Sequence, residues 1–392
     1  MRHRLIAGVR SLWMNIGVAL LVLAVLEGVL QLGFWVRHRG PSESSFVSTD
    51  RLAAANPGQP WVGGYPREAR AALREQWRSY VYWRLYPYRG ANINIDAQGI
   101  RQTWNASSAP TPGQPRMFMF GGSTMWGWGA RDEFTIPSLV AKRLAETARP
   151  APWVVNYGET GYVSTQEVIT LMLELRKGHV PSVVVFYDGV NDAWAGFQSK
   201  VAGQPQNEVN RVREFNSRTR FNWREGLLGR LALFRLARGV MGQVDPATSS
   251  STPRRFLDPE AAGAVVDAYL GNVRIVNALA RQYGFRAVFF WQPTIFSKKT
   301  LSPDEERWRL TEPRRPGRTA PAFAQEYQAF NETFRERLRA SKLDNVIDLS
   351  GLFEDDTRTI FIDRFHVSEA GNAKVADAIA QSLKRIIAAA AR

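Results

Sequence analysis

From Arg116 onward, short apolar runs alternate with longer amphipathic stretches, and this alternation restricts the possible folds more than any other feature of the chain. The runs are Met117–Phe120, Trp153–Tyr157, Val183–Tyr187, Ala287–Trp291 and Val346–Leu349. Helical periodicity marks Phe134–Thr147, Thr165–Lys177, Pro259–Tyr283, Phe323–Leu338 and Ser368–Ala390. Short runs of β-branched and aromatic residues with no alternating polar face predict strands buried on both sides. Strands that alternate with helices predict an α/β fold, a parallel sheet covered on both faces. In such sheets ligands bind beyond the carboxyl ends of the strands. The rhythm breaks between Ala193 and Asp258, which reads as an insert at 193–258. Inside it, Arg224–Met241 carries an apolar helical face that suits a lid, a membrane-surface helix or an ordinary packed helix.

The segment before Arg116 divides in two. Leu12–Val36 is an apolar stretch of about 25 residues, long enough for a tilted membrane-spanning helix. No small-x-small cleavage site follows it, so residues 1–39 read as an uncleaved N-terminal anchor. Glu27 and Gln31, four residues apart, fall on one face of that helix. Arg2, Arg4 and Arg10 precede the stretch while Arg37 and Arg39 follow it, a small bias toward a cytoplasmic N-terminus. The expected location is therefore the inner (plasma) membrane, single-pass, with the body on the periplasmic or extracytoplasmic side. Residues 40–115 read as a Pro/Gly/Ser-rich linker (40–60) and an aromatic-rich arm, with a hairpin expected around Asn92–Thr103. Residues 116–392 form the main domain.

The chain has 392 residues, of which 45% are apolar, and no cysteine. Thiolate metal sites, disulfide scaffolds and cysteine catalysis are excluded. No metal site and no cofactor are expected. The net charge of +15 attracts anionic polymers or lipid headgroups. Nucleic acid is not an expected partner, because no recognition motif accompanies the charge.

Only four histidines are available for acid–base work: His3, His38, His179 and His366. His3 and His38 flank the anchor, and His179 precedes the third strand, at the wrong end of the sheet. His366 follows the last strand, three residues after Asp363. In a loop that spacing lets the carboxylate hold one ring nitrogen while the other faces a nucleophile. The candidate nucleophile is Ser123, in Phe120-Gly121-Gly122-Ser123-Thr124, where glycines turn the chain sharply at the end of a buried strand. Neither a P-loop lysine nor a dinucleotide glycine fingerprint is present, so a phosphate-binding turn is disfavoured. Asn156–Tyr162 and Asp188–Asp192 follow the next two strands. A glycine N–H and the Asn191 amide suit an oxyanion, because neither titrates.

Taken in chain order, Ser123, Gly161 at a five-residue offset from Asn156, Gly189-x-Asn191-Asp192, and Asp363-x-x-His366 resemble the four sequence blocks of the SGNH hydrolases, or GDSL-like esterases. Val367–Asn372 is similar to that family's lead into its last helix. One position departs: the family's Gly-Asp-Ser is Gly121-Gly122-Ser123 here. The resemblance implies a three-layer, flavodoxin-like sheet and a catalytic triad Ser123, His366 and Asp363. It further implies an oxyanion hole from the Ser123 and Gly161 N–H groups and the Asn191 amide. With the anchor, it implies a carbohydrate O-acyl esterase, in particular O-acetyl, or an O-acetyltransferase acting on an envelope or extracellular polysaccharide through an acyl-serine. A lipid-directed esterase (lysophospholipase or thioesterase) and a non-catalytic polysaccharide-binding or assembly protein remain alternatives.

Overall fold

The computed structural model describes residues 2–39, 48–199, 201–219, 258–310 and 320–389. The expected helix at Arg224–Met241 lies outside them. The chain divides into two compact units, Met1–Ser44 with Asn210–Pro253, and Ser45–Val209 with Arg254–Arg392. The first unit contains a 38-residue helix, Arg2–Arg39. Its segment Trp13–Gly33 is long and apolar enough to cross a membrane, a property it shares with signal sequences. As the spacing predicts, Glu27 and Gln31 meet on one face, where the Gln31 amide donates to the Glu27 carboxylate at 2.9 Å.

The second unit opens with more structure than its composition suggests. Thr49–Ala55 is a helix, capped by the Ser48 hydroxyl, which accepts from the Arg51 N–H. Leu52 on this helix is fully buried. Within the expected linker over 40–60, Thr49–Ala55 is thus helical because one apolar face finds a core. Two antiparallel pairs follow: β1 (Glu75–Arg78) with β2 (Tyr82–Leu85), and β3 (Tyr88–Arg89) with β4 (Asn94–Ile95). The sequence places a hairpin at Asn92–Thr103, yet β4 pairs backward with β3. The expected hairpin also forms, as a short turn around Gly99: Ile95 bridges Arg101, the Asp96 N–H donates to the Ile100 carbonyl at 2.9 Å, and the Gln102 N–H donates to the Asn94 carbonyl at 2.8 Å. Arg101, whose side chain is buried, also bridges Asn156 and so joins this turn to the edge of the main sheet. β1 and β2 have no apolar alternation, so periodicity does not reveal them.

The main sheet has five parallel strands: β5 (Arg116–Gly121), β6 (Trp153–Asn156), β7 (Val183–Asp188), β8 (Arg286–Trp291) and β9 (Val346–Asp348). Their spatial order is β6-β5-β7-β8-β9. The fold is thus the expected α/β sheet in flavodoxin-like strand order. Every residue of β7 is buried, as its unbroken apolar run requires. Helices Ile136–Thr147 and Glu369–Ala389 pack together on one face. Helix Pro259–Tyr283 packs with Ser164–Arg176, Val190–Ser199 and Ala320–Ser341 on the other. A row of rings crosses the sheet. Phe120 stacks on Tyr157 at 5.1 Å and on Phe186 at 4.9 Å, and Phe186 stacks on Phe289 at 5.0 Å. Phe120, Phe186 and Phe289 occupy one register position across β5, β7 and β8. Burying a ring of this kind contributes roughly 1.5–3 kcal/mol, so this row fixes strand register as well as stability.

The order matters for function at one point. The chain leaves β5 toward β6 and then returns past β5 to β7, so the crossover direction reverses between β5 and β7. A crevice forms at the carboxyl ends of such neighbours. Ser123 follows β5, and Asn191 follows β7.

Candidate active site

β5 ends at Gly121, and a four-residue helix, Ser123–Trp126, begins at once. The Ser123 carbonyl accepts from the Gly127 and Trp128 N–H groups, both at 3.0 Å, which closes the turn tightly. A buried arginine holds this turn from behind. Arg101 spends all five of its N–H groups. They go to the Asp132 carboxylate (2.9 Å) and to the carbonyls of Trp126 (3.2 Å), Gly127 (2.7 Å), Ala130 (2.6 Å) and Asn92 (3.4 Å). Its guanidinium also lies 4.3 Å over the Trp126 ring. Sequence reading did not single out Arg101, because no pattern distinguishes a buried arginine from the many exposed ones.

His366 and Asp363 come from a tight loop after β9. The Asp363 Oδ1 accepts from the Phe365 and His366 N–H groups, each at 2.8 Å. This local turn is what makes the three-residue spacing work, since aspartate readily bonds its own backbone two or three residues on. Asp363 Oδ2 is left for the His366 ring, 2.6 Å from Nδ1. His366 Nε2 lies 2.6 Å from the Ser123 hydroxyl. Burial alone would raise the Asp363 pKa, but the charge and hydrogen bonds of His366 outweigh it and leave the carboxyl below its ordinary value. The Arg364 guanidinium lies over the Phe323 ring, 5.4 Å from its centroid. The Trp128 ring stacks on His366 at 5.4 Å and 25°. Of the other histidines, His179 pairs with Glu174 on the surface, 2.8 Å away.

Asn191 enters from the first turn of helix Val190–Ser199, which Gly189 joins directly to β7. Gly189 there has φ +126, and a Cβ would come within 2.9 Å of the Trp291 ring, so only glycine fits. The Asn191 amide is oriented from two sides. Its Nδ2 donates to the Tyr162 carbonyl at 2.7 Å, and its Oδ1 accepts from Gln206 at 3.3 Å. The same Nδ2 lies only 2.1 Å from where a Cβ on Gly122 would stand. With the amide in this position, the space beside Gly122 holds no further side chain. Gly161 has φ +75 and faces Gln206 and Trp83. The Ser123 and Gly161 N–H groups donate to no acceptor among the described residues. The structure thus gathers Ser123, His366 and Asp363 in one hydrogen-bonded series, with Asn191 against Gly122 and Gly161 beside the glutamine that orients Asn191.

The remaining polar residues of these loops hold the structure around the site. Asn156 is fully buried and bonds the Trp126 carbonyl and the Gly158 N–H. Asp192 holds the start of helix Ser164–Arg176, accepting from the Ser164 hydroxyl at 2.6 Å and from its N–H at 3.3 Å. Burial pushes Asp192 up to about 6. Gln206 and Trp128 carry no sequence signal; one lies in the insert and the other in a turn.

The GDSL-like Lipase/Acylhydrolase family matches residues 119–374, well over half of the chain. No curated protein matches the sequence. Among solved structures, the acetyl xylan esterase AlAXEase aligns at 15% identity over 68% of this chain and 98% of its own, with a TM-score of 0.35. A GDSL-like lipase from Bacteroides thetaiotaomicron aligns at 12% identity over 72% and 93%, with a TM-score of 0.35. The acetylxylan esterase Axe2 from Geobacillus stearothermophilus aligns at 13% identity over 68% and 93%, with a TM-score of 0.34. The chain belongs to the GDSL-like lipase/acylhydrolase family and is a serine ester hydrolase.

Proposed function

We propose that this chain removes or transfers O-acyl groups, in particular O-acetyl, on an envelope or extracellular polysaccharide. The observation that carries the chemistry is the series Ser123 Oγ, His366 Nε2, His366 Nδ1, Asp363 Oδ2, with both contacts at 2.6 Å. In the proposed reaction, Ser123 Oγ attacks the ester carbonyl and His366 Nε2 takes its proton. Asp363 keeps the imidazole in the correct tautomer and stabilises the imidazolium. The carbonyl oxygen becomes an oxyanion, bound by the Ser123 and Gly161 N–H groups and the free Nδ2–H of Asn191. Each such donor typically contributes about 3 kcal/mol to barrier lowering. Collapse of the intermediate breaks the ester C–O bond, and His366 returns the proton to the departing sugar oxygen. Water, activated by His366, then attacks the acyl-Ser123 and releases the acid. A sugar hydroxyl in the place of water would make the same protein an O-acetyltransferase.

A sugar ester suits the half-buried Trp128 ring beside His366, since an indole offers an apolar face and a polar edge. The apolar helix Arg2–Arg39 supports a single-pass membrane location, and the arginine bias before it favours an inner-membrane anchor with the site on the extracytoplasmic side. The test is an acyl-chain series on the full-length protein in neutral detergent, together with acetate release from isolated envelope polysaccharide. Preference for acetyl esters and release of acetate are expected. Preference for long acyl chains would move the assignment to lipid esters, and a lack of turnover with no serine labelling would favour a binding protein.

A further inference from the structure

A cleft of about 620 Å³ opens on the face of the edge strand β6, away from Ser123. It adjoins a second cleft of about 480 Å³; Asp96, Ile100, Trp153 and Val155 line both. Together they form a groove along the sheet edge. Arg116, at the start of β5, lines the first cleft, whereas Ser123 follows the end of the same strand. Five steps along a strand span about 17 Å. A small ester cannot reach both places, but a polymer can.

The two halves of the groove differ in chemistry. The first holds Arg78, Arg84, Arg116, Arg176, Lys177 and His179 against only Asp96 and Glu174. Glu174 is taken by Lys177 (2.6 Å) and His179 (2.8 Å), and Arg84 faces Glu159 at 3.7 Å. Arg78, Arg116 and Arg176 are exposed and have no carboxylate partner among the described residues. The second half is lined by amides and hydroxyls, among them Asn94, Gln102, Thr103 and Ser107, beside the Trp104 ring. The β1–β2 hairpin overhangs the first half. Tyr80 there is 67% exposed and has φ +72, a left-handed backbone that a bulky residue adopts only under constraint. Such strain collects at ligand clamps.

A peptide strand adding to the sheet edge is blocked. The Asn105 side chain already acts as the missing neighbour, accepting from the Val154 N–H at 2.8 Å and donating to its carbonyl at 3.0 Å. What suits a groove of arginines, aromatic faces, amides and hydroxyls is a chain of sugars carrying carboxylates. Guanidinium groups pair with carboxylates, ring faces stack on apolar sugar faces, and amides bond hydroxyls.

We propose that this groove binds a segment of an acidic, uronate-bearing polysaccharide and thereby holds the polymer whose esters reach Ser123. The proposal rests on a polysaccharide being the substrate, and its test reads binding apart from turnover. The full-length protein in nanodiscs of neutral lipid is titrated calorimetrically with oligogalacturonate. Binding is expected, weakening with salt and absent for an uncharged malto-oligosaccharide. The Arg116→Ala/Arg176→Ala variant should bind about tenfold more weakly or worse, and Tyr80→Ala should also weaken binding. Both should keep wild-type turnover of p-nitrophenyl acetate and wild-type melting. Arg116→Lys/Arg176→Lys should recover part of the affinity, because charge remains while the bidentate fork is lost. Three results would overturn the proposal: no binding of the oligouronate, equal binding by the alanine variant, or binding of phosphatidylglycerol vesicles through these residues in place of the sugar. Loss of acetate-ester turnover in wild type would instead count against the esterase reading and leave the binding result to stand by itself.

Discussion

Replacing Gly122 with alanine should disable turnover through Asn191 and not through the backbone. Gly122 has φ −77, which any L residue adopts, so alanine brings no conformational strain. Its Cβ, however, would stand 2.1 Å from the Asn191 Nδ2, where ordinary contact begins at 3.4 Å. The amide must therefore retreat by about 1.3 Å. It cannot do so and keep its 2.7 Å bond to the Tyr162 carbonyl. Loss of one oxyanion donor costs about 10²–10³ in kcat, roughly 3–4 kcal/mol. The assay is kcat for p-nitrophenyl acetate in four proteins: wild type, Gly122→Ala, Asn191→Gly and the double variant. Each single substitution should lose about a hundredfold or more. In the double variant the losses should not multiply, because alanine at 122 then has nothing to strike. If Gly122→Ala stays within about threefold of wild type, or the two losses multiply, the placement of Asn191 against the nucleophile is wrong.

Other perturbations reach different parts of the account. Asp363→Asn should preserve the loop yet lower kcat by about 10⁴, because the wrong imidazole tautomer would face Ser123; steady-state kinetics beside a thermal melt checks this. Arg101→Met should destabilise the fold by about 3–5 kcal/mol, since Asp132 and several carbonyls would be left buried without their partner. Chemical denaturation measures that cost. Glu159 is fully buried, and burial, against the pull of Arg84, pushes its carboxyl up to about 7. The native state therefore keeps a proton that the unfolded chain surrenders above about pH 4.5. Stability should accordingly fall as pH rises from about 4.5 through 7, by roughly 3 kcal/mol from this group. Asp192, pushed up to about 6, acts in the same direction over a narrower range. Glu159→Gln should flatten the dependence of the melting temperature on pH; an unchanged slope would contradict the assignment.

The strands and helices of the sheet were legible because burial on both faces leaves an unbroken apolar run, and Val183–Asp188 is the clearest case. The candidate site was legible for a related reason. Its members follow strand ends, and Asp363 and His366 are close enough in sequence for one local turn to join them. What the sequence does not reveal is held by long-range contacts. Arg101 reads like any surface arginine until its five acceptors are seen converging from the turn after Ser123 and from Asn92. Gln206 sits in an insert without periodicity, yet it orients the Asn191 amide. The hairpin of β1 and β2 has exposed residues on both faces of its first strand, so no alternation announces it. The surroundings of Gly122 also needed the structure, since the sequence shows the glycine but not how closely the Asn191 amide approaches it.

The most direct test of the central claim is to ask which atom an acyl mimic bonds. The full-length protein is treated with a fluorophosphonate and digested, and the modified peptide is located by mass spectrometry. The account predicts one adduct, on Ser123, formed rapidly in wild type, strongly slowed in His366→Ala and absent in Ser123→Ala. An adduct on another residue, or labelling of Ser123 that does not depend on His366, would contradict it.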